Sequence, residues 1–188
     1  RQYRLRFYRE KAADVELLAA SELKFRKTFE LAAIGIAHIA LDGRWLRLNP
    51  HACQILGYPE EELLKMKFQD TTHPEDLPGC LEMARRIEDG ETETETLEKR
   101  YIRKDGTIVS TNVTVALSQG TSGEGPYLIS IIDDVTNRKL AENRLREAEQ
   151  RYRNIVEILP DAIFTNRMGR IDYINAAGVR LLRAKDRI

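Results

Sequence analysis

Three histidines and two cysteines are the residues of this chain best suited to bind a metal ion or a cofactor. His38 alternates with Ile36 and Ala40 in an apolar run, so its imidazole could ligate a haem iron or hydrogen-bond a small molecule. A histidine satisfied by its structural neighbours is the alternative. The others lack the spacing of a metal site or a catalytic group: His51, His73, Cys53 and Cys80.

Polar residues also interrupt two apolar strand-like segments, at Asn112, Thr114 and Ser130. A polar group that points into a core needs a hydrogen-bond partner, which a ligand or a water molecule can supply. Together with His38, these residues are the candidates for a ligand pocket. The alternative is that they face solvent.

No enzyme signature is present: there is no glycine-rich phosphate loop, zinc-protease motif or nucleophile elbow. Cys53 lacks the flanking asparagine and arginine expected around a cysteine that forms a flavin adduct. Trp45 follows a turn and is expected to pack on a sheet, although it could stack on a ring system. We therefore predict no catalytic residue and no metal ligand, and a regulatory rather than an enzymatic role.

Composition excludes further classes of function. The 188 residues contain 30 Lys and Arg against 30 Asp and Glu, and no basic block is interleaved with aromatic residues, so a nucleic-acid partner is not expected. No apolar run approaches the roughly 20 residues of a spanning helix, and no signal-peptide pattern opens the chain. We expect a soluble, cytoplasmic segment, whose parent protein could still be anchored in a membrane.

The order of predicted elements defines the fold class. Residues 1–30 have the composition of a long helix, and Asp42-Gly43 predicts a hairpin turn between two apolar strands. Short helices are predicted within residues 50–70, and His73-Pro74-Glu75-Asp76 predicts the start of a longer helix that ends near Gly90. Three strands follow. The pattern indicates an α+β fold with an antiparallel sheet and helices on one face. The predicted strands lie at 96–102, 107–117 and 127–132.

A helix predicted to follow Thr136 carries apolar residues at alternating steps of four and three, which is typical of a helix that pairs with a second copy of itself. This seam predicts a homodimer, and the alternative is a helix that packs against its own domain. A shorter seam lies in the N-terminal helix, residues 1–24. The residues of the C-terminal seam are Ala141, Leu145, Ala148, Tyr152, Ile155 and Leu159.

The chain also begins to repeat itself. Residues 42–49 recur as residues 168–175, with Gly43 matching Gly169 and Asn49 matching Asn175 at the same spacing of 126. A period of this length indicates two similar domains in tandem, the second of which is cut off after its start. Residues 160–188 alone are too few to bury their apolar side chains, so we expect them to be disordered or to pack against a neighbouring chain.

Five segments together resemble a PAS domain with its C-terminal PAC segment. The resemblance covers residues 25–136, with a linker helix at 137–159 and the start of a second PAS domain after it. It implies a five-stranded antiparallel sheet in the order 2-1-5-4-3, whose helices enclose a pocket. The segments are 42–45 (Asp-Gly-Arg-Trp) with Asn49, 55–58 (Ile-Leu-Gly-Tyr) with 61–63 (Glu-Glu-Leu), 72–77 (Thr-His-Pro-Glu-Asp-Leu), 98–106 (Glu-Lys-Arg-Tyr-Ile-Arg-Lys-Asp-Gly), and Asp134-Val135-Thr136 with Arg138-Lys139.

The resemblance also implies a sensor in a multidomain bacterial signalling protein. Such a module binds a small ligand or a partner and passes the signal through a C-terminal helix to a histidine kinase, a diguanylate cyclase or a phosphodiesterase in the same chain. Asp134 and Thr136 match the signal relay at the start of that helix, where both side chains can bond free backbone amides. Two alternatives stay open, a haem- or flavin-binding redox or gas sensor and a purely structural dimerisation module.

Overall fold

A computed structural model describes residues 2–120 and 125–182, with side chains from residue 15 onward. The chain separates into two compact units, residues 1–136 and residues 137–188, and each is described by itself. Among the helices of the described ranges, none has both the length and the apolar composition needed to cross a bilayer.

The first unit alternates strands and helices in the predicted order. A long helix, α1 (Gln2–Leu31), leads into the hairpin of β1 and β2, four helices follow, and three longer strands complete the unit. Its elements after α1 are β1 (Gly35–Ala40), β2 (Trp45–Leu48), α2 (Pro50–Leu56), α3 (Glu60–Leu63), α4 (Phe68–Thr71), α5 (Leu77–Glu88), β3 (Thr94–Ile102), β4 (Ile108–Ser118) and β5 (Tyr127–Asp134).

These five strands form one antiparallel sheet in the order β2-β1-β5-β4-β3, which confirms the predicted fold class. The first strand, β1, lies between its hairpin partner β2 and the last strand β5, with Ala37 opposite Leu48 on one side and Ser130 on the other. The sheet thus brings the beginning and the end of the domain side by side at its centre.

Side chains alternate along each strand, so every second residue points toward α2 to α5 and the next points away. On β4 the inward residues Val109, Thr111, Val113 and Val115 are buried, whereas the residues between them are partly exposed. The inner face and the helices enclose one core, in which Trp45 and Tyr101 are the largest buried side chains.

The buried side chain of Asn49 connects three elements. Its Oδ1 accepts hydrogen bonds from the amides of Ile36 (2.9 Å) and Ala52 (2.8 Å), and its Nδ2 donates to the carbonyls of Phe29 (3.0 Å) and Ile34 (2.9 Å). Every donor and acceptor site of this amide is used. Asn49 therefore caps α2 and joins it to β1 and to the end of α1.

The start of α5 differs from the sequence prediction. The helix begins at Leu77 rather than at Pro74, and Asp76 makes no side-chain cap to it. The carboxylates of Glu75 and Asp76 instead accept hydrogen bonds from Arg100 on β3. These acidic side chains pair with an arginine that is distant in sequence instead of capping the helix. The residue types of the segment 73–76 alone could not predict this pairing.

The second unit contains most of α6 (Thr136–Ile158), the hairpin of β6 (Phe164–Arg167) and β7 (Arg170–Ile174), and α7 (Ala176–Leu182). Phe164, Leu181 and Leu182 are exposed. Residues 160–182 thus form regular elements with uncovered apolar side chains, and their packing against a neighbouring chain stays a prediction. Residues 183–188 of that prediction lie outside the described part.

Asn175 makes the same four hydrogen bonds in the second unit that Asn49 makes in the first. Its Oδ1 accepts from the amides of Ile163 (3.0 Å) and Gly178 (2.8 Å), and its Nδ2 donates to the carbonyls of Val156 (3.0 Å) and Asp161 (2.9 Å). The sequence repeat therefore corresponds to a repeated structure, in which the end of α6 takes the place that α1 has in the first unit.

Candidate functional site

The inner face of the sheet and the helices α4 and α5 enclose a small cavity of about 20 Å³. A volume of about 10–15 Å³ on this measure holds one water molecule, so the cavity admits one group of about that size. Its walls are mostly apolar. The lining residues are Ile39, Phe68, Cys80, Met83, Ala84, Lys99, Tyr101, Val113, Val115, Leu128 and Ser130.

Lys99 is the charged residue of the cavity wall, and only 6% of it is exposed. Its Nζ donates a hydrogen bond to Thr72 Oγ1 at 3.3 Å and lies over the rings of Tyr101 (4.2 Å to the centroid) and Phe68 (5.1 Å). Two aromatic faces and one hydroxyl oxygen therefore surround this cation.

Burial changes the acidity of two neighbours of Lys99. It raises the pKa of the Tyr101 hydroxyl above its ordinary value, because a phenolate would lose its hydration, and the nearby ammonium partly opposes this rise. The pKa of the Cys80 thiol is raised for the same reason, again against the effect of Lys99. Neither group is thus poised as a nucleophile or a base at neutral pH.

The four predicted pocket residues do not lie together. Ser130 lines the cavity on β5, whereas the other three lie on strand positions of the outer face. His38 there contacts the rings of Phe29 (5.8 Å between centroids) and Tyr127 (4.9 Å), and Thr114 shares a 2.9 Å hydrogen bond with Thr96. A ligand role inside the cavity thus stays a prediction for Ser130 alone. The outer three are His38, Asn112 and Thr114.

His38 borders a different concave surface, an open groove of about 620 Å³ on the outer face. The side chains of Phe25, Arg47 and Tyr127 also line this groove, and the Arg47 guanidinium lies 4.4 Å from the centroid of Phe29. Any ligand role of His38 belongs to this surface and not to the interior of the domain.

The interior does not fit a haem or a flavin. Pockets for ligands of that size have volumes of about 300–1,000 Å³, far above the 20 Å³ enclosed here. His38, the residue proposed as a haem ligand, lies on the opposite face of the sheet from this cavity. Within the described ranges, moreover, no group of three or more His, Cys, Asp and Glu is arranged to hold a metal ion.

The junction between β5 and α6 fastens the helix to the sheet. Asp134 Oδ1 accepts a hydrogen bond from the Thr136 amide (2.9 Å), as expected at a helix start. The Thr136 hydroxyl does not bond an amide of its own helix but bonds the Ser110 amide (3.0 Å) and carbonyl (3.3 Å) on β4. Val135 between them is buried. The first residue of α6 is therefore held by β4, the strand next to the central strand β5.

Arg103 extends this junction to the helices over the sheet. Its Nε donates to the carbonyl of Ile55 at the end of α2 (2.8 Å), and its Nη2 lies 3.4 Å from Asp134 Oδ2. A single guanidinium thus joins the end of α2 to Asp134, the last residue of β5, whose other carboxylate oxygen accepts the hydrogen bond from the first residue of α6.

The predicted dimer seam is exposed. All six residues are solvent-accessible, with Leu145 at 62% and Tyr152 at 71% exposure. Leu159 lies just beyond the end of α6, where its amide bonds the Ile155 carbonyl. Val156, which is outside the seam, is the buried residue of the helix. An uncovered apolar stripe is available for a partner, and the dimer stays a prediction.

Three contributors to these sites were missed from the sequence: Lys99, Arg103, and the Asp76–Arg100 pair. In the segment from Glu98 to Arg103, charged residues occupy both faces of the strand. Charge alone therefore does not distinguish the side chains that point into the core from those that point to solvent. The alternation offered one signal, because Lys99 shares its face with Leu97 and Tyr101. No local pattern could have paired Asp76 with Arg100.

Comparison with known protein families gives the same family for both units. A family model described as a PAS domain matches residues 32–137, and a second PAS domain model matches residues 150–188.

The curated relatives include the probable diguanylate cyclase DgcE of Escherichia coli, 36% identical over 145 residues, and the sensor histidine kinase TmoS of Ectopseudomonas mendocina, 30% identical over 134 residues. These alignments cover 77% and 71% of this chain. The chain spans only 12% and 14% of the length of the two relatives. The similarity therefore concerns a part of each.

Solved structures agree with the fold. A PAS domain of an HTR-like protein from Haloarcula marismortui aligns with a TM-score of 0.55 at 21% identity, covering 65% of this chain and 98% of its own. A sensory box histidine kinase/response regulator from Burkholderia thailandensis aligns with a TM-score of 0.52 at 24% identity, covering 70% and 98%.

Proposed function

Because this chain belongs to the PAS domain family, we propose that it is the sensory module of a multidomain bacterial signalling protein. A small ligand or a partner acts on the first domain, and helix α6, paired with its copy in a dimer, carries the signal to an output domain. The domain itself catalyses no reaction in this proposal.

The observation that carries the proposal is the junction at the start of α6. Thr136 bonds β4 through Ser110, and Asp134 meets Arg103, which holds the end of α2. A shift of the sheet or of α2 on ligand binding would change these bonds and so change the packing of α6. A few kcal/mol between two helix packings is enough to bias an attached domain.

The relatives support an output domain in the same polypeptide. One is named as a probable diguanylate cyclase, and two others are named as kinases, the sensor histidine kinase TmoS and sporulation kinase E of Bacillus subtilis. Similar domains thus occur in proteins with different enzymatic outputs. We propose an output of one of these kinds, or a phosphodiesterase, for the parent of this chain.

The proposal is tested by Thr136→Val, which keeps the shape of the side chain but removes both bonds to Ser110. Loss of a hydrogen bond is expected to raise amide exchange in the first turn of α6 about tenfold. Thr136→Ser, which keeps the hydroxyl, should exchange like the natural protein. Hydrogen exchange followed by mass spectrometry, together with the oligomeric state, gives the readout.

Thr96→Val is the matched control, since it removes a hydroxyl bond to Thr114, which lies on β4 like Ser110. This variant should leave α6 unchanged. If Thr136→Val also leaves the exchange and the assembly of α6 unchanged, the junction does not couple sheet and helix. That outcome would favour a purely structural dimerisation module.

A further inference from the structure

Glu157 connects the last turn of α6 to the two elements that follow it. Its Oε1 accepts a hydrogen bond from the Tyr173 hydroxyl on β7 (3.1 Å), and its Oε2 accepts one from the amide of Ala176, the first residue of α7 (3.1 Å). The amides of a first helical turn have no partner within their own helix, and a negative charge is favourable beside them. Both oxygens of one carboxylate are therefore used, one on the hairpin and one on a helix start.

The first unit has the same acidic residue but cannot form the same bonds. Glu30 occupies the place of Glu157 in the sequence repeat, and Pro50 occupies the place of Ala176. Pro50 begins α2 and carries no N–H group, so it has no hydrogen to donate to a carboxylate. Glu30 is exposed, and among the described residues its carboxylate forms no ion pair or hydrogen bond.

The residue on the hairpin also differs between the two units. Arg47 occupies the place of Tyr173, both in the sequence repeat and in the pairing of the hairpin. The Arg47 guanidinium lies over the ring of Phe29, 4.4 Å from its centroid. The two bonds of Glu157 thus have no counterpart in the described part of the first unit.

We infer that Glu157 is a positioning residue, which fixes the orientation of the second domain on the end of α6. Because Glu157 is bonded to β7 and to α7, a rotation of α6 carries both elements with it. A movement of α1 is not passed to its own hairpin and to α2 in this way. The inference rests on the proposed relay through α6, and it names the residue at which that relay enters the second domain.

The direct test measures the distance between α6 and α7. Glu147→Cys and Leu181→Cys, at two exposed positions, carry nitroxide labels for pulsed electron paramagnetic resonance, with Cys53→Ala and Cys80→Ala made first. An excess of unlabelled protein restricts the signal to two labels within one chain. We expect one narrow distribution of distances in this background and a broader distribution when Glu157→Ala is added.

Glu30→Ala is the matched control, because it removes an acidic side chain from the equivalent place in the first unit. The distance should stay narrow in this variant. A residue that only stabilises the fold would change the fraction of folded molecules and not the distance within them. If Glu157→Ala keeps the same narrow distance as Glu30→Ala, Glu157 does not orient the second domain and the inference is wrong.

Tyr173→Phe is a milder variant, which keeps the ring and removes only the bond to β7. The amides of β7 should exchange about twofold to tenfold faster, because one hydrogen bond that holds the strand is lost. Tyr152→Phe, at a tyrosine on α6 that is 71% exposed, removes a hydroxyl without this bond and should exchange like the natural protein. Equal exchange in the two variants, followed by mass spectrometry, overturns the inference.

The two proposals fail separately. If Thr136→Val releases α6 while Glu157→Ala leaves the distance narrow, the relay from the first domain stands and the role of Glu157 is wrong. If Glu157→Ala broadens the distance while Thr136→Val leaves α6 unchanged, the role of Glu157 stands and the coupling of α6 to the first domain is wrong.

Discussion

Arg100 and Asp76 form a three-point contact between β3 and the start of α5. Asp76 accepts hydrogen bonds from the Arg100 amide (2.7 Å), Nε (3.0 Å) and Nη2 (2.7 Å). The hydrogen bonds from the Arg100 side chain, with its charge, hold the pKa of Asp76 below its ordinary value. The contact anchors the segment that precedes α5 to an edge strand of the sheet.

Asp76→Asn is therefore expected to destabilise the first unit at pH 7. Because Arg100 is 37% exposed and solvent screens the pair, we expect a loss of about 1–2 kcal/mol. A carboxyl whose folded pKa is lowered adds stability above its unfolded pKa, near 3.9, and this contribution disappears as pH falls through the lower folded value. The variant should thus approach the natural protein in stability as the pH is lowered below about 4.

Urea unfolding monitored by Trp45 fluorescence at pH 7 and at pH 3 measures both effects. Glu82→Gln, on an exposed ion pair within α5, is the control and should leave stability nearly unchanged, because solvent screens the pair. A constant difference between Asp76→Asn and the natural protein at both pH values would contradict the electrostatic explanation.

Asn49→Ala should cost the first unit about 3 kcal/mol or more, because it leaves two amides and two carbonyls without their partner in a buried place. Asn175→Ala breaks the equivalent four bonds in the second unit. Since the single tryptophan, Trp45, lies in the first unit, its unfolding signal should move for Asn49→Ala and stay fixed for Asn175→Ala. Equal shifts in both variants would show that the two units unfold together.

The fold class could be predicted from the sequence because each helix and strand is indicated by residues within its own segment. The Asp42-Gly43 turn and the alternation of β4 each determine an element and its buried face. Ser130 was found as a polar interruption of an apolar strand. On β4, by contrast, the polar residues Ser110, Asn112 and Thr114 follow one another at every second position. Because side chains alternate along a strand, this pattern indicates that all three lie on the outer face of the sheet. Contacts such as Lys99 with Thr72 join distant segments, and only the folded chain brings them together.

Gly57→Ala tests the contact between the end of α2 and Arg103. Gly57 has a φ of +74°, and an added β-carbon would lie 3.0 to 3.2 Å from the Arg103 side chain. Gly90 has a similar φ of +72° with nothing within 4 Å. Both alanine variants should lose about 1 kcal/mol of stability from backbone strain at a positive φ. Any further loss of stability in Gly57→Ala, measured by urea unfolding, therefore reports the contact with Arg103.

Arg103→Ala in the Gly57→Ala background completes this test. If the excess arises from the contact, the two substitutions together should cost less than the sum of their separate effects. Strict additivity would mean that the excess does not come from the Arg103 side chain beyond its β-carbon, which alanine keeps.

Leu145→Glu and Ile155→Glu should each weaken a dimer held by α6, because a charge at the seam would be buried against a second copy. Asn143→Glu adds the same charge on the opposite face of the helix and should leave the dimer intact. Sedimentation velocity distinguishes monomer from dimer. If both seam variants remain dimeric, the interface lies on the N-terminal helix or on the sheet.

Helix α6 has a side-chain-to-backbone hydrogen bond near each end: the Thr136 hydroxyl is bonded to Ser110 on β4, and the Val156 carbonyl accepts a hydrogen bond from Asn175. If a ligand of the first domain alters this helix enough to affect the second, thermodynamic linkage requires the reverse effect to be of equal size. Occupation of the second domain would then tune the affinity of the first for its own ligand. Two consecutive sensor domains joined in this way would respond to the combination of their two ligands, and the response to one ligand would depend on the presence of the other.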